Sequence, residues 1–221
     1  MIQLFNVTKQ YGQNAALADI NLRIRQGEFV FVTGPSGAGK STLLRVVFGA
    51  LKPTSGQVLV GGINLARISR YKLDIMRRKI GFVFQDFKLL DGKTVFQNVA
   101  VALQVTGERA SIIRKKTHQT LRAVGLSQKE GYYPPELSGG EQQRIAIARA
   151  IINDPIILLA DEPTGSLDPD ITREIMLLFR TINLRGTTLV LATHSRELLS
   201  NTSQRTVYLK NGGIEREMEP Q

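Results

Sequence analysis

The sequence predicts an α/β fold: a parallel-stranded core, an antiparallel edge sheet and an inserted helical segment. Three observations predict it. A β-branched and aromatic run, Glu28 to Thr33, stops at Gly34 and gives way to a glycine-rich loop and a helical pattern. Apolar strand patterns at Ile156 to Ala160 and at Thr187 to Thr193 flank a further helical pattern from about Ile171 to Leu184. Between these two halves, about Asp86 to Asn153 reads as mostly helical. Alternating strands and helices bury a parallel sheet.

Taken in order, residues 2–8 and 20–25 mix apolar and polar positions as strands of the edge sheet do. After the loop, Lys40 to about Gly49 forms a helix that buries Leu43, Leu44 and Val47. Gln57 to Val60 is a strand, Gly61-Gly62 a turn, and Ile80 to Phe84 a strand ending at Gln85. Arg109 to Val124 carries Ile113, Leu121 and Val124 on one side, and Pro134-Pro135 ends that stretch. Ser138 opens another helix, with Ile145, Ala148 and Ile152 on one stripe. Arg205 to Lys210 and Ile214 to Met218, around Asn211-Gly212-Gly213, form a terminal hairpin.

Composition narrows the function classes. The chain has 221 residues and 42% hydrophobic content, enough for one core or two closely packed lobes. No apolar stretch approaches the roughly 20 residues that cross a bilayer. The opening Met1 to Asn6 has no basic start and no long apolar region, which argues against a secretory leader. With no cysteine, disulfides and thiolate metal sites are excluded. The net charge is +10. Two basic segments stand out, residues 67–79 and 109–122, and three readings compete for them. They can be a solvated face, or a surface for an anionic membrane, where each cation is worth about 1 kcal/mol. Nucleic acid ranks last, because no aromatic stacking motif accompanies the charge.

Gly34-Pro35-Ser36-Gly37-Ala38-Gly39-Lys40-Ser41 fits the G-x-x-x-x-G-K-[ST] phosphate loop, with Thr42 following. Glycines let consecutive N–H groups turn inward, and the next helix adds its positive dipole end. Lys40 is placed to reach the β- and γ-phosphates of ATP, and the Ser41 hydroxyl to hold Mg²⁺. Asp161 ends an apolar strand, where α/β sheets bind ligands, and suits Mg²⁺ through water. Glu162, the next carboxylate, suits the polarisation of an attacking water. Ser138-Gly139-Gly140-Glu141 reads as a capping box whose glycines expose N–H groups. The loop already surrounds its own nucleotide, so these groups suit a phosphate held by a second copy.

Leu137-Ser138-Gly139-Gly140-Glu141-Gln142, with the loop and the acidic strand end, resembles the signature of ATP-binding cassette (ABC) ATPases along nearly the whole chain. That resemblance implies a RecA-like P-loop core at about 1–85 and 156–221 and a helical signature subdomain at about 86–155. It implies a head-to-tail homodimer on ATP binding, each ATP lying between one copy's loop and the other's signature. It also implies that Tyr11 stacks on adenine and that Gln85 touches Mg²⁺ and links the site to the helical lobe. Ser166-Leu167-Asp168 would contact the opposite subunit, and His194 would act as the switch histidine. Ser195 departs from the acid that many relatives carry after that histidine.

Lys40 and Asp161 are 121 residues apart with no sustained heptads, unlike chromosome and repair ATPases. Phe84 to Leu90, Thr94 to Val99 and Ala160 to Gly165 are most similar to the family's bacterial cell-division branch, which in turn is similar to lipoprotein-release and macrolide-export ATPases. This implies an integral membrane partner of permease type, a place on the cytoplasmic face of the membrane, and control of peptidoglycan hydrolysis. The competing class is a nucleotide-dependent division scaffold with little hydrolysis.

Overall fold

The structure, a computed structural model, describes residues 1–165, 167–200 and 202–220, with the backbone alone at Arg196. Strands β1 (Ile2–Tyr11), β2 (Asn14–Ile24), β4 (Ser55–Val60) and β5 (Ile63–Asn64) form an antiparallel sheet in the order β2-β1-β4-β5. Strands β3 (Phe29–Thr33), β6 (Ile80–Val83), β7 (Ile157–Asp161), β8 (Thr188–Ala192), β9 (Arg205–Lys210) and β10 (Gly213–Met218) form the second sheet. Its order is β10-β9-β3-β8-β7-β6, parallel except for β10.

The parallel strands are apolar on both faces, and their period of two sorts the residues between two cores. Val30, Val32, Ile157 and Leu159 point toward the antiparallel sheet and α1 (Lys40–Val47), joining Ile2, Leu4, Ile20 and Leu44. Phe29, Phe31, Leu158 and Ala160 point the other way, against Ile175 and Phe179 of α6 (Pro169–Leu184) and Ala146 and Ile147 of α5 (Gly139–Ile151). A third core lies among α3 (Val95–Gln104), α4 (Ala110–Ala123) and α5, around Val99, Leu103, Leu121, Ile145 and Ala148. Helix α5 contributes to two cores and so ties the helical insertion to the sheet.

Three features differ from expectation. Residues 67–79, read only as a basic segment, contain helix α2 (Arg70–Arg77), capped by Ser69, whose hydroxyl accepts from Lys72 N. The helical region begins at Val95 rather than Asp86. Phe87 and Lys88 take left-handed backbone angles, φ 54° and 49°, which no helix accommodates. A short α7 (Arg196–Ser200) also follows β8. Among the described residues, no helix is long and apolar enough to cross a membrane.

Candidate ATP site

The carboxyl ends of β3, β6, β7 and β8 meet at one rim, which is where open α/β sheets take ligands. The glycine loop follows β3. Gly34 (φ 146°) and Gly39 (φ 106°) are required on two counts. Their backbone angles are unfavourable for side chains, and a Cβ would lie 2.1 Å from Leu209 O and 2.3 Å from Ala16 O respectively. The loop's outer residues Pro35, Ser36 and Gly37 are exposed, while Ala38 and Gly39 are buried against the sheet. Helix α1 follows Gly39 at its N-cap, with no side-chain cap and no acid in its first turn. Its leading N–H groups therefore remain free for an anion.

Lys40, buried, donates from Nζ to Gly34 O at 2.8 Å and to Pro35 O at 3.1 Å. The same ammonium lies 3.8 Å from Glu162 Oε1. Ser41 Oγ donates to Asp161 Oδ1 at 2.8 Å, and Thr42 follows, half-buried. Burial pushes the Asp161 carboxyl above its ordinary range, while the Ser41 hydroxyl and the Arg45 charge pull it down. Glu162 is buried at φ 46°, its N–H donating to Ala192 O at 2.9 Å across the strand ends. Its Oε1 lies 2.7 Å from His194 Nδ1, and its Oε2 accepts from His194 N at 3.3 Å. A left-handed non-glycine residue at a strand end is a common mark of a functional position. Ser195 N donates to Thr193 Oγ1 at 3.1 Å, which closes the turn after β8 locally.

A cleft of about 680 Å³ opens beside the loop, lined by Ser41, Arg45, Gln85, Asp161, Glu162 and His194 among others. Six of the residues singled out in the sequence thus meet, because Lys40 touches Glu162 from behind. Tyr11 does not line this cleft. It sits half-exposed at the tip of the β1–β2 hairpin, with Lys9 Nζ 5.1 Å from its ring centroid. Nor do Ser138, Gly139, Gly140 and Glu141. Ser138 caps α5 with its hydroxyl accepting from Glu141 N at 3.3 Å, and Glu141 Oε2 accepts from Ser138 N at 2.9 Å. That backbone hydrogen bond holds the Glu141 carboxyl below its usual range. Gly139 and Gly140 pack against Leu167 and Ile171, where a Cβ on Gly140 would lie 2.7 Å from Ile171 Cγ2. Ser166 lies outside the described residues. Asp168 caps α6 by accepting from Ile171 N at 3.0 Å.

Arg45 and Arg149 are not among the residues the sequence motifs single out. Arg45 stands one helical turn after Ser41, a spacing that could have flagged it. Arg149 reaches across the fold to Phe87 and Lys88, which no local pattern records.

A phosphate loop, paired carboxylates at a neighbouring strand end and a capped glycine helix on an insertion define a P-loop ATPase with a helical insertion. The chain matches the ABC transporter family over residues 17–165 and belongs to it. It is similar to Cell division ATP-binding protein FtsE of Bacillus subtilis (strain 168), 48% identical over 98% of this chain and 96% of that protein. FtsE of Mycobacterium tuberculosis is 50% identical, covering 98% and 95%, and FtsE of Escherichia coli K12 is 42% identical, covering 97% of each. A solved dimeric post-hydrolysis state of the ATP-binding cassette MJ0796, bound to ADP and Pi, superposes with a TM-score of 0.91 at 40% identity, covering 99% and 98%.

Proposed function

We propose that this chain is the ATP-hydrolysing subunit of an FtsE-like cell-division complex, peripheral to the cytoplasmic face of the membrane. It acts on an integral, FtsX-like permease and through it on peptidoglycan hydrolysis. One observation carries the chemistry: the buried Glu162 carboxylate is held between Lys40 and His194, one residue from the Asp161–Ser41 pair. The division role is supported by the likeness to FtsE over nearly the whole chain.

The free N–H groups at the start of α1 and the Lys40 ammonium bind and orient the triphosphate. Lys40 leaves its loop carbonyls for phosphate oxygens, exchanging neutral acceptors for charged ones. The Asp161 carboxylate, the Ser41 hydroxyl and the Gln85 amide offer oxygen donors on one cleft wall, a set that suits Mg²⁺. Held by these residues, Mg²⁺ would supply positive charge against that developing on the phosphate oxygens. Glu162 holds the attacking water and accepts its proton, and His194 orients that carboxylate through Nδ1. Tyr11 stacks on adenine.

Two copies join head to tail. Ser138, Gly139 and Gly140 of one copy meet the γ-phosphate on the other's loop, and Glu141 keeps Ser138 in place. The transition-state charge is thus complete only in the dimer.

Glu162→Gln should bind ATP with wild-type affinity and turn it over about 10²–10⁴-fold more slowly. Single-turnover and equilibrium-binding measurements separate the two effects. Near-normal hydrolysis would remove Glu162 from its role. Copurification from membranes tests the partner, and ATP-driven movement of a lipid or drug would instead favour an export ATPase.

A further inference from the structure

Helix α2 and its surroundings lie outside everything described for the ATP rim. Lys72, Ile75, Met76 and Lys79 fall at spacings of three, four and seven residues, one side of a helix and its first following turn. They line a groove of about 370 Å³, closed by Val60 and Ile63 from the antiparallel sheet and by Ile156 before β7. The groove sits at the amino ends of β6 and β7, the far end of the sheet from the phosphate loop. Every lining side chain is apolar except Lys72 and Lys79. Ile63, Ile75 and Ile156 remain between 38% and 44% exposed, and Tyr71 on the same helix is 75% exposed.

The charge around this groove is of one sign. Arg67, Arg70, Lys72, Arg78 and Lys79 are all exposed. None of the five has an ion-pair partner among the described residues, and Asp74, the one acid of the segment, is taken by Arg77. A peptide laid in the groove would bring backbone N–H and C=O groups that need partners. The lining side chains offer no neutral hydrogen-bonding group. An acyl chain makes no such demand. Unpaired lysines with apolar stems and an exposed tyrosine suit the boundary between hydrocarbon and headgroup.

We propose that this groove binds anionic phospholipid of the bilayer surface. Hydrocarbon lies against Ile63, Ile75 and Ile156, and Lys72 and Lys79 meet headgroup phosphates. The use of this contact rests on the membrane-peripheral reading above, but the binding chemistry does not.

Sedimentation of the full chain with vesicles tests it. Wild type binds phosphatidylcholine vesicles that contain phosphatidylglycerol, and not phosphatidylcholine alone. Replacing both lysines (Lys72→Gln with Lys79→Gln) lowers partitioning about 25-fold, about fivefold for each charge. Ile75→Ser, which leaves every charge in place, also weakens binding. Arg114→Gln with Lys115→Gln on α4, an equal loss of exposed charge, changes it less than about twofold. Basal ATPase activity stays at wild-type level in all three, which reports an intact fold. Equal loss in the α4 variant would mean diffuse charge rather than a groove, and overturns the proposal. So does absence of wild-type binding to the anionic vesicles, or groove-dependent binding to the membrane partner alone. Vesicle binding that persists while copurification of a partner fails would sink the partner reading and leave the groove standing.

Discussion

Asp161 shows how a single residue trades stability for chemistry. It is buried, and burial raises its pKa even though Ser41 donates to it and Arg45 lies near. A carboxyl with a raised folded pKa binds its proton more tightly in the native state. Its stabilising contribution is therefore full below the ordinary carboxylate range and is lost as pH rises through the raised value. At neutral pH the ionised group is a net burden. Asp161→Asn should then raise the melting temperature at pH 7, with the gain shrinking as pH falls through the raised value and gone below the ordinary carboxylate range. Mg²⁺-dependent hydrolysis should fall by at least about 10²-fold. Calorimetry across pH and a steady-state assay measure both, and a destabilised variant at pH 7 would contradict the account. Much of this site could be read from sequence, because Gly34 to Ser41 and Asp161-Glu162 are contiguous and their chemistry is local. The left-handed backbone of Glu162 could not be read, since it sits where Glu162 N meets Ala192 O of another strand.

At the scale of elements, the segment between β6 and α3 is held by the helical insertion. Arg149 of α5 donates to Phe87 O at 2.6 Å and Lys88 O at 2.7 Å. Those two residues carry left-handed angles that cost about 1–2 kcal/mol each. Asn98 of α3, fully buried, accepts from Leu90 N and donates toward Leu90 O and Lys93 O. Gln85 thus lies between a cleft built on the sheet and a loop fastened to the helices, which suits a relay from nucleotide to the proposed membrane partner. Arg149→Ala should leave ATP affinity within about twofold, expose the Phe87–Leu90 loop to protease and abolish stimulation by the partner. Arg149→Lys should not restore it, because one ammonium does not reproduce a two-pronged fork. Unchanged partner stimulation in Arg149→Ala would refute the relay. This fastening was invisible in the sequence, where the arginine stands 61 residues from Lys88 amid an ordinary amphipathic pattern. Helix α2 is masked in the sequence for a different reason. Its cap, Ser69, was readable, but basic residues dominated a stretch with a narrow apolar stripe.

For the whole molecule, the strand order set by parallel pairing brings four carboxyl ends to one rim and leaves α2 at the other end of the sheet. The architecture was legible because strand and helix periods are local and the glycine loop marks the first crossover. The proposed trans arrangement would be a property of two chains. Within one chain, Ser138 and its glycines stand apart from the cleft that holds Lys40, Asp161 and Glu162. The central claim is that ATP joins two copies by completing each site with the other's capped helix. Sedimentation of Glu162→Gln with and without Mg-ATP tests it most directly. The account predicts a monomer that becomes a dimer at saturating Mg-ATP, and no dimer when Ser138→Arg is added. A Glu162→Gln protein that binds ATP yet stays monomeric, alone and beside the proposed membrane partner, would contradict it.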